Sequence, residues 1–190
     1  QWYEPRVTVP RTLGHSHVLP PDMRNAEGAW NVLNRLTQKA AMRLRKQGFY
    51  AMGMAVHVQG RRQTGYSTGY KAGGQQEASF CETQDTAFLL RVLARLWSRG
   101  LASFPRPVAV GMTLFGLVPA SQHTPTLFET KFEHHLGASG APGLSSLASV
   151  PRAPLGDRTR LSATIDHINR QYGKNALYFA SAHGALDHAP

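Results

Sequence analysis

The chain has 190 residues, with 21 Lys plus Arg against 11 Asp plus Glu and a formal net charge of +10; that suffices for one or two small domains and points to a polyanionic partner, most simply nucleic acid. Its one cysteine, Cys81, excludes an internal disulfide and fits a reducing compartment. The longest apolar region, LASFPRPVAVGMTLFGLVPA, carries Arg106 and three prolines, which excludes a membrane helix there.

The chain starts at Gln1 rather than Met, so residues 1–10 are expected to be a linker from an upstream domain. Around residues 11–19 a strand is expected, with the His-x-His pair His15 and His17 on it. A metal site would need a third and usually a fourth ligand. His57 or the His134-His135 pair could supply one, but no Cys pair or His-Glu-x-x-His pattern exists, so we expect no metal. Catalysis by two metals needs clustered carboxylates. The acidic residues here are scattered, and no phosphate-binding glycine loop or nucleophile elbow appears, so we expect no catalytic residue in this piece. The third reading is a strand facing polyanions. Alternation puts His15 and His17 on one side and Thr12, Gly14 and Ser16 on the other. Small hydroxyls, glycine and strand N–H groups suit phosphate. Arg11, Arg61 and Arg62 lie at strand ends, where they add charge.

From Asn25 to Gln47, Ala26, Trp30, Leu33, Leu36, Ala40 and Leu44 recur at steps of three and four, an amphipathic helix capped by Asn25 and ended by Gly48. Arg35, Lys39 and Arg43 are expected on its exposed side. Residues 49–60 read as a strand with Met52, Met54, Val56 and Val58 on one face. The glycine-rich, basic GRRQTGYSTGYKAGGQ reads as a loop or distorted hairpin, and QEASFCE as a short strand. Cys81, beside Phe80 in that strand, reads as a buried structural thiol. Thr83 to Arg99 is a second helix, capped by Thr83 or Asp85 and closed by Gly100. It would bury Phe88, Leu89, Val92, Leu93, Leu96 and Trp97 and expose Arg91, Arg95 and Arg99. Residues 107–118 form a further strand.

The order is β-α-β-β-α-β, an α+β layer: a four-stranded sheet with two helices on one face, spanning residues 11–119. Residues 120–156 read as a flexible linker, because 11 of the 20 residues in 137–156 are Gly, Pro or Ser. Residues 157–190 hold a C-terminal helix with Leu161, Ile165, Ile168 and Tyr172 on one face, followed by the short extended piece NALYFAS. An isolated helix of that length is marginal in water, so it must dock on something.

RTLGHSHVLPPDMRNAEGAWNVLNRLTQKAAMRLRKQGF resembles the start of the little-finger domain of Y-family (lesion-bypass) DNA polymerases, and VAVGMTLFGLVP resembles its last strand. The series runs in order from residue 11 to about 119. The resemblance implies a C-terminal DNA-binding piece of a bacterial translesion polymerase, cytoplasmic and nucleoid-associated. Its sheet would lie against the major groove and touch mainly the backbone of primer-template duplex. Thr12, Gly14 and Ser16 would approach one strand, with Arg11, His15 and His17 nearby, and Arg61, Arg62 and Lys71 of the hairpin would approach the other. The piece itself would need no cofactor; the catalytic palm, with its Mg, would lie upstream. The third strand carries QEASFCE where the family commonly has Arg-x-Arg. QHTPTLFE, residues 122–129, stands where bacterial relatives carry a sliding-clamp-binding peptide, with Gln122, Leu127 and Phe128 as its anchors. IDHINRQYGKNALYFAS resembles a C-terminal element of some bacterial members. Two rivals are a His-x-His nuclease or relaxase using Tyr66 or Tyr70, and an RNA-binding sheet, which would display stacking aromatics on its central strands.

Overall fold

The computed structural model describes residues 11–61, 71–104, 106–123 and 155–185. The proposed linker falls mostly in 124–154, outside them, as do Arg62, Tyr66, Tyr70, Leu127 and Phe128.

Helix α1 runs Ala26–Lys46. Its start is set by Asn25, whose extended backbone lets the side-chain oxygen accept the Gly28 N–H at 2.7 Å. That bond satisfies one of the N–H groups a helix start leaves open. Its end is set by Gly48, which takes φ +71° where a Cβ would be strained. Leu33, Leu36, Ala40 and Leu44 are buried as their spacing predicts. Helix α2, Thr86–Ser98, begins the same way: the Asp85 carboxylate accepts the Ala87 N–H at 2.9 Å, and Gly100 at φ +121° follows its end. Leu89, Val92, Leu93 and Leu96 are buried, Phe88 and Trp97 are half-buried, and Arg91, Arg95 and Arg99 are exposed. Trp30 and Trp97 join the two helices with ring centroids 5.7 Å apart.

The strands are β1 (Thr12–Val18), β2 (Phe49–Arg61), β3 (Lys71–Thr83), β4 (Pro107–Phe115) and the two-residue β5 (Val118–Pro119). The sheet order is β1-β4-β2-β3, with β5 pairing the start of β2 at Phe49 and Tyr50. Every ladder is antiparallel, so β1 and β2 run parallel with β4 between them. By the same count β3 and β4 run parallel with β2 between them. Thus α1 and α2 each cross over one intervening strand, and both pack on the same sheet face. The register places Met54 opposite Leu114, Val56 opposite Met112 and Val58 opposite Val110. All six are fully buried under the helices, and each such side chain contributes roughly 1.5–3 kcal/mol.

The structure departs from the sequence expectations in five places. Met52 is 43% exposed rather than grouped with Met54, Val56 and Val58. The β2–β3 register shifts between Ala51 and Gly53, and this irregularity moves the strand out of phase. Strand β3 begins at Lys71, not Gln76, because Gly73 and Gly74 pair with Gln59 and Val58. A Cβ on Gly74 would meet the Phe104 ring at 3.0 Å and Leu101 at 3.1 Å, so the glycine makes room for that packing. Cys81 is exposed, not buried, because it follows Ser79 on the side of β3 away from the core residues Ala78 and Phe80. Arg35 is buried, at 7% exposure, because α1 is covered on its outer side as well. Its neighbours Asn31 and Gln38 touch Gly184 and Phe179 of the C-terminal segment.

The fifth departure lies in the C-terminal element. Helix α3, Leu155–Tyr172, meets the domain through polar residues. Asp166 takes a bidentate pair from Arg45, at 2.6 and 2.9 Å. Ser162, 1% exposed, accepts the Thr86 N–H. Leu161 and Tyr172 are exposed and Ile165 and Ile168 half-buried, so the apolar stripe is not the docking face. NALYFAS is not a strand: a turn leads into a 3-10 helix over Ala180–Ala185. Gln38 holds both the N–H and the C=O of Phe179, and Ala182 and Ala185 are buried.

Candidate nucleic-acid interface

Alternation that buries one face of the sheet exposes the other. Thr12, Gly14, Ser16 and Val18 of β1 are exposed on the side away from the helices. The neighbouring positions of β4 on that side are Thr113 opposite Gly14 and Gly111 opposite Ser16. His57 of β2 pairs with Gly111 in register. Its ring lies over that glycine: a Cβ there would be 2.2 Å from His57 Cε1 and 3.1 Å from Ser16 Cβ. The Phe115 ring covers Gly53 in the same manner. On β3, Gly73, Gln75, Glu77 and Ser79 are exposed on this side. Among the described residues the face therefore carries glycine, hydroxyl, amide and imidazole groups with Ala55, Ala109 and Phe115 among them, exposed Val18 on β1 and Glu77 as a carboxylate on β3.

Charge sits at the two ends. Arg11 is exposed at the entry to β1, beside the end of β4, since Thr12 pairs with Phe115. Arg61 and Lys71 occupy paired register positions at the far end of β2 and β3, and Gly60 pairs with Pro107 there. Exposed Arg106 precedes Pro107 and joins that end. The predicted residues thus fall into separate groups. Thr12, Gly14 and Ser16 lie together on the open face, with Arg11 at one end and Arg61 and Lys71 at the other. His15 and His17 lie on the opposite, helix-facing side of β1 and are half-buried. The His15 imidazole is held below its ordinary pKa, first by burial and then by Arg43 and Lys39 of α1. Gln122 is exposed just after β5. The neighbouring His123 stacks on Tyr50 at 3.7 Å between centroids, and its Nδ1 contacts the Glu82 carboxylate.

Two further residues belong to this surface. His57 stands in opposite phase to Met54, Val56 and Val58, so strand period alone puts it on the open face. Arg106 carried no periodic signal, because it precedes its strand among prolines. No group of three or more His, Cys, Asp or Glu side chains that could hold a metal occurs among the described residues.

The fold and this surface define an α+β module in which two helices seal one sheet face and leave the other open. A family model described as the impB/mucB/samB family C-terminal domain matches residues 10–127. The chain belongs to that family, the C-terminal domains of Y-family polymerases. Among solved structures it is similar to the "Complex of beta-clamp processivity factor and little finger domain of PolIV". The identity is 16%, covering 62% of this chain and 98% of that one, with a TM-score of 0.41. The comparison with curated proteins returned no match.

Proposed function

We propose that this domain grips primer-template duplex for a translesion polymerase, through phosphate contacts on the open sheet face. The observation that carries the reading is the uncovered face itself, mostly small and polar at its centre and basic at both ends, in a chain of net charge +10. Four strands at about 4.8 Å spacing span about 14 Å before side chains are added, more than the roughly 12 Å major groove. Such a sheet meets the flanking backbones rather than inserting to read bases. Thr12, Gly14 and Ser16 then approach one strand, and Arg61, Arg62, Lys71 and Arg106 the other. Bond formation with Mg belongs to a palm elsewhere in the parent polymerase, and the module contributes position. The setting is DNA damage tolerance at the bacterial nucleoid; no helix among the described residues is long and apolar enough to cross a membrane.

The test is duplex binding against salt. R61A/R62A should weaken binding similarly for unrelated sequences and flatten the slope of log K on log salt by roughly 1 to 2 units, at about 0.9 per lost phosphate contact. An unchanged slope removes both arginines from the interface. A nuclease reading lacks a ligand cluster among the described residues. An RNA-stacking reading would need aromatics along β2 and β4, whose open side instead presents Ala55, His57, Thr113 and the single ring of Phe115. The segment leaving β5 is the second proposed contact, with a sliding clamp. Gln122 would orient the peptide, and Leu127 and Phe128 would fill the apolar pocket.

A further inference from the structure

The side of α1 next to β1 concentrates positive charge that the sheet face does not use. Lys39 and Arg43 are four residues apart and so share one stripe of α1, next to the buried Arg35. That stripe borders β1, an edge strand whose outer side pairs with no other strand among the described residues. His15 faces the stripe from β1. On the other side Gly173 at φ +103° and Asn175 at φ +66° turn the chain sharply after α3. The turn brings Lys174 close enough to act on Lys39. Both groups are shifted as crowded cations are. Lys39 is held below its ordinary pKa by burial, then by Arg35 and Lys174. His15 is shifted likewise by burial, Arg43 and Lys39.

We propose that this groove, floored by Lys39 and Arg43 and walled by β1 and Lys174, binds the phosphate backbone of a single-stranded extension of the duplex held on the sheet. Lys39 and Arg43 lie about 6 Å apart along α1 at 1.5 Å per residue, comparable with two nucleotides at about 3.4 Å rise. Two phosphates of one strand therefore match them better than a single small anion. The connection to the sheet site is β1 itself. Its odd-numbered residues His15 and His17 face the groove side, and its even-numbered residues Thr12, Gly14 and Ser16 face the duplex side. A strand leaving the duplex can pass around this free edge from one surface to the other. An anionic backbone also offsets the mutual repulsion of the crowded cations.

The inference rests on the proposed duplex site, and the experiment separates the two. The full chain is titrated with a blunt duplex, the same duplex bearing a single-stranded overhang, and the single strand alone. For K39Q/R43Q, overhang binding should fall about tenfold and its salt slope by about 1.4, at about 0.7 per single-strand contact, while blunt-duplex binding holds. K39R/R43K should restore overhang binding, which a packing role would not predict. K174Q, on an exposed turn, should show about half the slope change and guards against loss of fold in the double variant. Equal losses on blunt and overhanging duplex, or no loss on either, overturn the groove. Lys39-dependent binding of the single strand with no blunt-duplex binding would instead overturn the sheet-face reading and leave the groove standing.

Discussion

Helix α1 is held from two sides by different chemistry. Towards the sheet and α2 it buries Val32, Leu33, Leu36, Ala40 and Leu44 in one apolar cluster with Met54, Leu93 and Leu114. On its outer side and at its C-terminal end it is held by polar contacts with the C-terminal element. These are Arg45 to Asp166 and Gln38 to Phe179, with the small Ala182 and Ala185 buried behind them. Apolar burial stabilises in proportion to area and tolerates shifts in orientation. Polar docking specifies one geometry and is lost when that geometry fails. The first attachment therefore builds the domain, and the second sets where the C-terminal element sits on it. We expect that element to be the low-stability end of the structure, the part that opens first.

The sharpest way to break the contrast is a large-to-small substitution on each side. Leu114→Ala should cost about 2–5 kcal/mol by emptying a fully buried site, and should lower the urea midpoint of the whole domain. Arg45→Ala should act locally. Its guanidinium pairs with both Asp166 oxygens, and Nη1 also donates to Gln84 O at 2.6 Å and Thr86 Oγ1 at 2.9 Å. Asp166 is itself only 14% exposed, so the carboxylate is left poorly solvated. We expect a loss of about 2 kcal/mol, or about 30-fold faster amide exchange across 155–172, with the sheet amides unchanged. Arg45→Lys should recover less than half of that loss, since an ammonium cannot reproduce the forked donors. Uniform acceleration across sheet and helix would show that the element is part of one cooperative unit and not a docked addition.

The same contrast decides what could be read from the chain alone. Local chemistry was legible: Asn25 as a cap, Asp85 as one of two candidate caps, Gly48 and Gly100 as stops, and the period of Met54, Val56 and Val58. The open placement of Thr12, Gly14 and Ser16 followed from that alternation. Glycine hid the start of β3, because Gly73 and Gly74 offer no side chain for a period to show. An irregular pairing with β3 displaced Met52, and pairing is not written in one strand. Arg35 was misread, and the docking face of α3 could not be read, for a related reason. The contacts come from distant parts of the chain: Arg45 and Asp166 are 121 residues apart, and Thr86 and Ser162 are 76 apart. Polar docking also leaves no hydrophobic period. The contacts with the domain are carried by Ser162 and Asp166, neither of which belongs to the apolar stripe of α3.

The smallest expected effect lies at His15, on the helix-facing side of β1. Burial, Arg43 and Lys39 lower its pKa from 6.5, so the folded protein favours the neutral ring. Above about pH 7.5 the ring is neutral in both folded and unfolded chains, and stability is unaffected by it. As pH falls through the unfolded value of 6.5, the unfolded chain takes up the proton first, and stability is lost until the folded ring protonates as well. Below that point the loss is constant. Urea midpoints at about pH 7.5 and about pH 5 should therefore differ more for the parent chain than for His15→Gln, which cannot titrate. An equal drop in both would mean that His15 is solvated and lies clear of the α1 cations. A larger drop in the variant would mean that the charged ring is favoured in the folded state, which would place an acidic partner beside it. A nucleic-acid strand in the groove should shrink the difference, because phosphate stabilises the same proton that Lys39 and Arg43 oppose.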